Sequence, residues 1–377
     1  MSIAPSPLKP AEVSPSLDSL LVWGAEHRPR VAALLGLRRY WMGPLYTQLR
    51  GEYLARIKDG NPPGSFTAAE PLMQELPSAR RLQWLHRYIQ DANWALCREV
   101  TEARMGEIAA LLEPRPSDLG TLQVNPDQKV PAYYEFDWHR QAGGIWRDLA
   151  GAVIYLLGAR IVHKGNNDNF QLHDQFVGDI PALPSGKLPT DVLDLGCGFG
   201  KTTFSLKKAW PKASVHGIDL AEPCLRLARR MATERDLEIH WRQGDMETLP
   251  YPDASMDVAT ITMVLHEVPA PAIALQMHEA ARVLRPGGML VVLENRTLDD
   301  DPFRNVLLKW YSEIIDEPLS LPFRQLDFAG ICRASGFAEV EERKWYLAGA
   351  GGPEAEADPS RWCTPWRMTI ARKGAVQ

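Results

Sequence analysis

An acid followed by regularly spaced glycines carries the clearest chemical signal in this chain. In Asp191-Val-Leu-Asp-Leu-Gly-Cys-Gly-Phe-Gly-Lys201, Gly196, Gly198 and Gly200 occupy every second position behind Asp194. Glycines let a turn approach a ligand closely, and the helix predicted over Lys201–Trp210 presents free N–H groups to it. Two better-known loops are excluded. A Walker A loop would end correctly at Gly200-Lys201-Thr202 but requires a glycine where Leu195 stands, and G-x-G-x-x-G requires one where Lys201 stands. The pattern that fits is acid-x-G-x-G-x-G. Asp219 follows Gly200 by nineteen residues, at the predicted end of the next strand, where dinucleotide-binding folds place an acid on the ribose hydroxyls.

Groups able to move a proton lie elsewhere. His266, in Met263-Val-Leu-His-Glu-Val-Pro269, falls at the carboxyl edge of a predicted strand, where open α/β sheets carry their sites. The unperturbed pKa of histidine suits a general base near neutral pH. Tyr133-Tyr-Glu-Phe-Asp-Trp-His-Arg-Gln-Ala-Gly-Gly-Ile-Trp146 packs five aromatics, Asp137 and His139 into a short run containing a double glycine. Aromatic faces attract cations. Tyr134 and Asp137 are the residues of this run best suited to steer an amine or deprotonate a substrate. Gly143-Gly144 is suited to hinge a lid. No C-x-x-C occurs and the five cysteines are scattered, so neither a metal site nor a disulfide framework is expected.

These residues need a scaffold. From Asp191 onward, strands and helices alternate, which predicts a parallel sheet covered on both faces. Strands are expected at Val192–Leu195, Ser214–Ile218, Ile239–Gln243, Met256–Met263, Met289–Glu294, about Ala338–Trp345 and Arg367–Ala371, seven in all. The preceding part reads as all-α. A helical pattern runs from Leu17 to about Lys58, broken at Gly43-Pro44, and Asn61–Ser65 is a loop. A second helical region runs from Ser78 to Leu112, with Leu82, Leu85, Ile89, Ala92, Leu96 and Val100 on one stripe. Trp84, Tyr88 and Trp94 lie off or beside that stripe, while burial between helices is the expectation for Trp23, Trp41, Trp84 and Trp94. A third helix is expected over Ile145–Val162, followed by a loop at 164–169. The predicted organisation is a flexible tail (1–17), a helical cap, lid or dimerisation domain (18–165) and a site-bearing α/β domain (166–377).

Composition bounds the function. The chain has 377 residues, is 45% hydrophobic and 24% charged, and carries a net charge of −5. It offers no basic field for nucleic acid. No apolar run reaches the roughly 18 residues of a membrane span, and the Pro- and Ser-rich start lacks the apolar core of a signal peptide. A reduced, cytoplasmic, soluble protein is expected.

From about Phe170 to Lys373 the motifs resemble, in order, those of the class I S-adenosylmethionine (SAM) methyltransferases, in their small-molecule, type 11-like branch. Asp194 with Gly196, Gly198 and Gly200 matches motif I, and Ala280-Ala-Arg-Val-Leu-Arg-Pro-Gly-Gly288 matches the turn before the fifth strand of that branch. The resemblance implies a Rossmann-like, seven-stranded α/β sheet with SAM as cofactor. Asp219 would take the ribose, Leu220 would lie beside the adenine, Asp245 would accept from the adenine amino group, and Met246 would pack on the ring. Asp194 and the glycine loop would hold the methionine half. In plant-type O-methyltransferases a histidine matching His266 is a base and is followed by Asp-Trp, whereas Glu267-Val268 follows here. The implied activity is methyl transfer to a small molecule. Two alternatives share these motifs: a SAM-consuming cyclase similar to azetidine-2-carboxylate synthases, which releases methylthioadenosine, and a non-catalytic SAM-binding protein.

Overall fold

The computed structural model describes residues 16–57, 63–163, 167–295, 298, 301–349, 352–358 and 365–374. Almost all of the expected tail, residues 61–62 and 164–166 of the two expected loops, and Cys363 lie outside the described residues. The remaining four cysteines are free and buried.

Among the described residues the sheet has eight strands rather than the expected seven. They are β1 (Thr121–Gln123), β2 (Asp191–Leu195), β3 (Ser214–Asp219), β4 (His240–Gln243), β5 (Met256–Thr262), β6 (Leu284–Asn295), β7 (Phe337–Trp345) and β8 (Trp366–Lys373), in the order β1-β4-β3-β2-β5-β6-β8-β7. The additional strand comes from the part expected to be all-α. Thr121, Leu122 and Gln123 pair in parallel with His240, Trp241 and Arg242, so β1 covers the exposed edge of β4. Three residues with a single inward side chain give no alternation that could be read in advance. The last pair is antiparallel, β8 running between β6 and β7.

The helices are α1 (Leu17–Leu20), α2 (Arg28–Tyr40), α3 (Tyr46–Arg56), α4 (Phe66–Gln74), α5 (Pro77–Glu102), α6 (Met105–Leu112), α7 (Leu149–Val162), α8 (Gln171–Gly178), α9 (Lys201–Ala209), α10 (Glu222–Thr233), α11 (Ala270–Val283), α12 (Pro302–Ile314), α13 (Ser320–Arg324), α14 (Phe328–Ala334) and α15 (Gly352–Ala357). The expected break at Gly43-Pro44 is instead a π-helical turn, Trp41–Leu45, carrying α2 into α3. The wider turn accommodates a proline that lacks an N–H. α7 starts at Leu149, later than expected, because the Asp148 side chain accepts from the Gly151 N–H and caps it.

Strand residues alternate between two cores. Val192, Val215, Val258 and Val291 face α8 and α9 on one side. Leu193, Leu195, Ile218, Ala259 and Ile261 face α11 and α14 on the other. Two further clusters bind the helical part to the sheet. One joins α5, α6 and α7 to α10 and Trp241 of β4. The other joins α3, α4 and α5 to α12, which lies between β6 and β7 in sequence. Trp41 and Trp94 are buried and Trp23 is half-buried, but Trp84 is 66% exposed and stacks on Tyr88 across one helical turn.

α5 and α7 pack closely against each other. A Cβ added at Gly158 would lie 1.9 Å from the Trp94 ring. Gly158→Ala should therefore destabilise the protein by about 1–3 kcal/mol through overpacking, despite the helix propensity it gains, which is worth about 1 kcal/mol. Urea unfolding measures this, and an unchanged or higher midpoint would contradict the packing described.

Candidate active site

The carboxyl ends of β2, β3, β4 and β5 open into a cleft lined by the glycine loop, the residues following β3 and β4, α7 and the 133–146 segment. Strand register places its first acid. Asp194 lies opposite Gly217 of β3 and Thr260 of β5. Its carboxylate accepts from Thr260 Oγ1 at 2.8 Å and Thr203 Oγ1 at 2.6 Å. Burial raises its pKa to about 7, against the opposing effect of those hydroxyls.

The loop after Asp194 turns because Gly196, Gly198 and Gly200 all have positive φ, at 64°, 50° and 81°. A Cβ at Gly200 would lie 2.4 Å from Trp241, whereas one at Gly198 would meet only open space. The cradle therefore packs on β4 behind and stays clear in front. Asp219 ties it down. Its Oδ2 accepts from the Gly198 N–H at 2.8 Å and its Oδ1 accepts from the Ala221 N–H at 2.8 Å. Burial raises the Asp219 pKa, those N–H groups oppose the rise, and Glu267 adds to it. Leu220, Asp245 and Met246 line the same cleft. Asp245 Oδ1 accepts from the Glu247 N–H at 2.8 Å. Seven of the eight residues expected to hold the cofactor thus line one space, and the eighth, Gly200, turns the loop against Trp241 behind it.

Of the three residues expected to carry catalysis, the cleft lining includes Tyr134 and neither His266 nor Asp137. Tyr134 reaches the cleft from a turn in which its N–H donates to the Pro131 carbonyl. Burial first, then Asp219 and Glu267, raises its pKa well above the ordinary value, so its hydroxyl stays protonated. Asp137 lies off the cleft with its carboxylate 3.6 Å from Arg147. His266 turns away beneath the wall, its Nδ1 3.0 Å from Glu294 of β6. Burial lowers its pKa, but attraction and hydrogen bonding to Glu294 outweigh this and raise it to about 9. The short 3₁₀ turn Leu265–Glu267 after β5 presents Glu267, not its neighbour, to the cleft.

His139 fastens the 133–146 segment down. It lies between two carboxylates, Nε2 3.0 Å from Glu267 and Nδ1 3.0 Å from Glu317. Its ring stacks on Tyr155 of α7 at 5.4 Å and 6°. His139 and Arg140 both have positive φ, 59° and 62°, a conformation that costs energy outside glycine. The surroundings hold it there. The His139 carbonyl accepts from Trp94 Nε1 at 2.7 Å and Gln90 Nε2 at 2.9 Å, and Arg140 Nε donates to Asp91 at 2.9 Å. All three partners lie on α5. One part of the cleft lining is basic, formed by Lys201, His163 and His173. Burial, aided by Arg160 and opposed by Asp168, lowers the Lys201 pKa to about 8. Burial, then Lys201 and His163, keeps His173 neutral.

A glycine loop after the first long parallel strand, with acids at the ends of that strand and the next two, places the site at the carboxyl edge, where open α/β sheets carry their ligands. Residues 192–288 match the family model described as a methyltransferase domain. Among curated proteins, the chain is 43% identical over 108 residues to the demethylmenaquinone methyltransferase of Thermus thermophilus, covering 29% of this chain and 48% of that one. It is 34% identical over 153 residues to the ubiquinone/menaquinone biosynthesis C-methyltransferase of Bdellovibrio bacteriovorus, covering 40% of this chain and 64% of that one. The chain thus spans about half to two-thirds of the length of these relatives. A solved structure of the Bacillus subtilis YcgJ protein superposes with a TM-score of 0.41 at 18% identity, over 55% of this chain and all of that one. The segment from β2 to the turn inside β6 is thus similar to methyltransferase domains. Among the described residues no helix is long and apolar enough to cross a membrane.

The histidine clamp gives a pH signature. Burial lowers the His139 pKa, but hydrogen bonds and attraction from Glu267 and Glu317 outweigh this and raise it to about 10. The folded state therefore holds this proton more tightly than the unfolded chain. The resulting stability is complete below pH 6.5 and lost as pH rises towards 10. Asparagine tolerates the left-handed backbone, so His139→Asn is a fair comparison. The stability gap between wild type and His139→Asn should shrink by about 2–4 kcal/mol from pH 6.5 to 10. A constant gap in denaturation measured across that range would contradict the clamp.

Proposed function

We propose that this chain is a SAM-dependent methyltransferase whose acceptor is a small molecule held between the 133–146 segment and the carboxyl edge of the sheet. The observation that carries the reading is the convergence of the glycine loop, Asp219 and Asp245 on one cleft that Tyr133 and Tyr134 cover. When bound, SAM supplies a methyl group activated by its positively charged sulfur.

The residues have separable roles in this reading. Asp219 has lone pairs beyond those used by Gly198 and Ala221, and these would accept from the ribose hydroxyls. Leu220 and Met246 would flank the adenine, with Asp245 accepting from its amino group. Asp194 would face the ammonium of the methionine half. Lys201, buried in the basic part, would face its carboxylate. Tyr134, protonated at neutral pH, would keep an O–H able to donate, orienting the acceptor. Positioning of this kind can supply much of the acceleration for a methyl transfer.

Two measurements test the proposal. Charge-assisted hydrogen bonds contribute about 1.5–3 kcal/mol each, so Asp219→Ala should weaken SAM binding about 10- to 100-fold by calorimetry; an unchanged affinity would remove the ribose assignment. Incubation with SAM alone, followed by mass spectrometry, should leave SAM intact, with S-adenosylhomocysteine appearing only when an acceptor panel is added. Release of methylthioadenosine from SAM alone would overturn methyl transfer in favour of ring closure.

A further inference from the structure

Resting on that reading, we infer that the wall made by Glu267, Tyr134 and Tyr155 is a binding site for an organic cation, with His139 as the positioning residue that aims the Glu267 carboxylate. Among the described residues, the groups that reach this carboxylate are both histidine rings and both are on Oε1: His139 Nε2 at 3.0 Å and His266 Nε2 at 3.9 Å. No donor among them reaches Oε2. Glu267 and two tyrosines line the cleft, while the cations that balance the cluster stand behind its wall. His139 also pairs with Glu317, His266 pairs with Glu294, and Arg324 adds its charge beside Glu317. The ligand therefore meets carboxylate and aromatic rings, not the histidines.

Two features make the occupant a cation rather than a neutral donor. Asp219 and Glu267 repel each other across the cleft, a repulsion relieved by a positive charge between them. Tyr134 lines the cleft with the same two acids and feels the charge of both, and Tyr155 feels Glu267 and Glu317. Aromatic faces beside a carboxylate favour a diffuse, weakly hydrated cation such as an alkylammonium or sulfonium. The clamp is preorganised, because the strained His139 is held by α5 through its carbonyl and by Tyr155 through its ring. The basic lining residues Lys201, His163 and His173 form a separate group, Lys201 and His163 both acting on His173. An acceptor carboxylate would thus find no partner at this wall.

The positive charge has two sources, the sulfonium of SAM and an ammonium on the acceptor. Calorimetry with SAM and with S-adenosylhomocysteine, which lacks the charge on sulfur, separates them in wild type and Glu267→Gln. The S-adenosylhomocysteine complex is also titrated with phenethylammonium and with 3-phenylpropionate. S-adenosylhomocysteine affinity should stay within about twofold in the variant, which also reports a folded cleft. If Glu267 faces the sulfonium, SAM alone weakens, by fivefold or more. If it faces the acceptor, SAM is unchanged, phenethylammonium binds wild type in preference to 3-phenylpropionate, and Glu267→Gln removes that preference. His139→Asn, which leaves Glu267 in place but unaimed, should show a smaller loss of the same kind. Equal binding of every probe to wild type and both variants, or preference of wild type for 3-phenylpropionate, would overturn the inference. Failure of wild type to bind S-adenosylhomocysteine at all would instead overturn the proposed function on which it rests.

Discussion

The Asp219 carboxylate joins the end of β3 to the glycine loop after β2 and to the start of α10. It does so with two 2.8 Å hydrogen bonds to backbone N–H groups. A backbone with three left-handed glycines in five residues has many other conformations open to it. The carboxylate selects one, and Trp241 blocks retreat on the far side by filling the space beneath Gly200 and Gly217. The register of β2 with β3 and β5 then fixes Asp194 between two threonine hydroxyls. Each acid at the sheet edge is thus both structural and available, since carboxylate oxygens retain lone pairs after one bond.

The α/β half was legible because its signals are local. Alternating apolar runs, glycines at fixed offsets and acids at strand ends are written in consecutive residues, and the positions of β2 to β5 agree with them to within a residue or so. The eighth strand was not legible. β1 exists because the edge of β4 is available to a three-residue segment far away in sequence. The π-helical turn at Pro44 is likewise a compromise between local breaking chemistry and the burial of Trp41, Leu45 and Tyr46 in a core that holds α2 and α3 together.

Within the site, legibility divides along the same line. The cofactor residues follow from motif positions. Which of two adjacent residues faces a cleft depends on where one 3₁₀ turn starts, and that turn presents Glu267 while pairing His266 with Glu294. His139 stands in a run that is conspicuous for its aromatics, yet its partners Glu317 and Tyr155 lie in distant segments. Lys201 reads as the first residue of a helix, and its position in the basic part of the cleft becomes evident only once His163 and His173 are placed beside it. Buried charges are set by partners that sequence separation conceals.

The most direct measurement is a crystal structure of the full chain with S-adenosylhomocysteine. Both ribose hydroxyls should lie on Asp219, with the adenine between Leu220 and Met246 and the sulfur on the side of the cleft that carries Tyr134 and Glu267. A nucleoside bound elsewhere, with Asp219 still bonded to Gly198 and Ala221 and nothing more, would contradict the assignment of this cleft as the cofactor site.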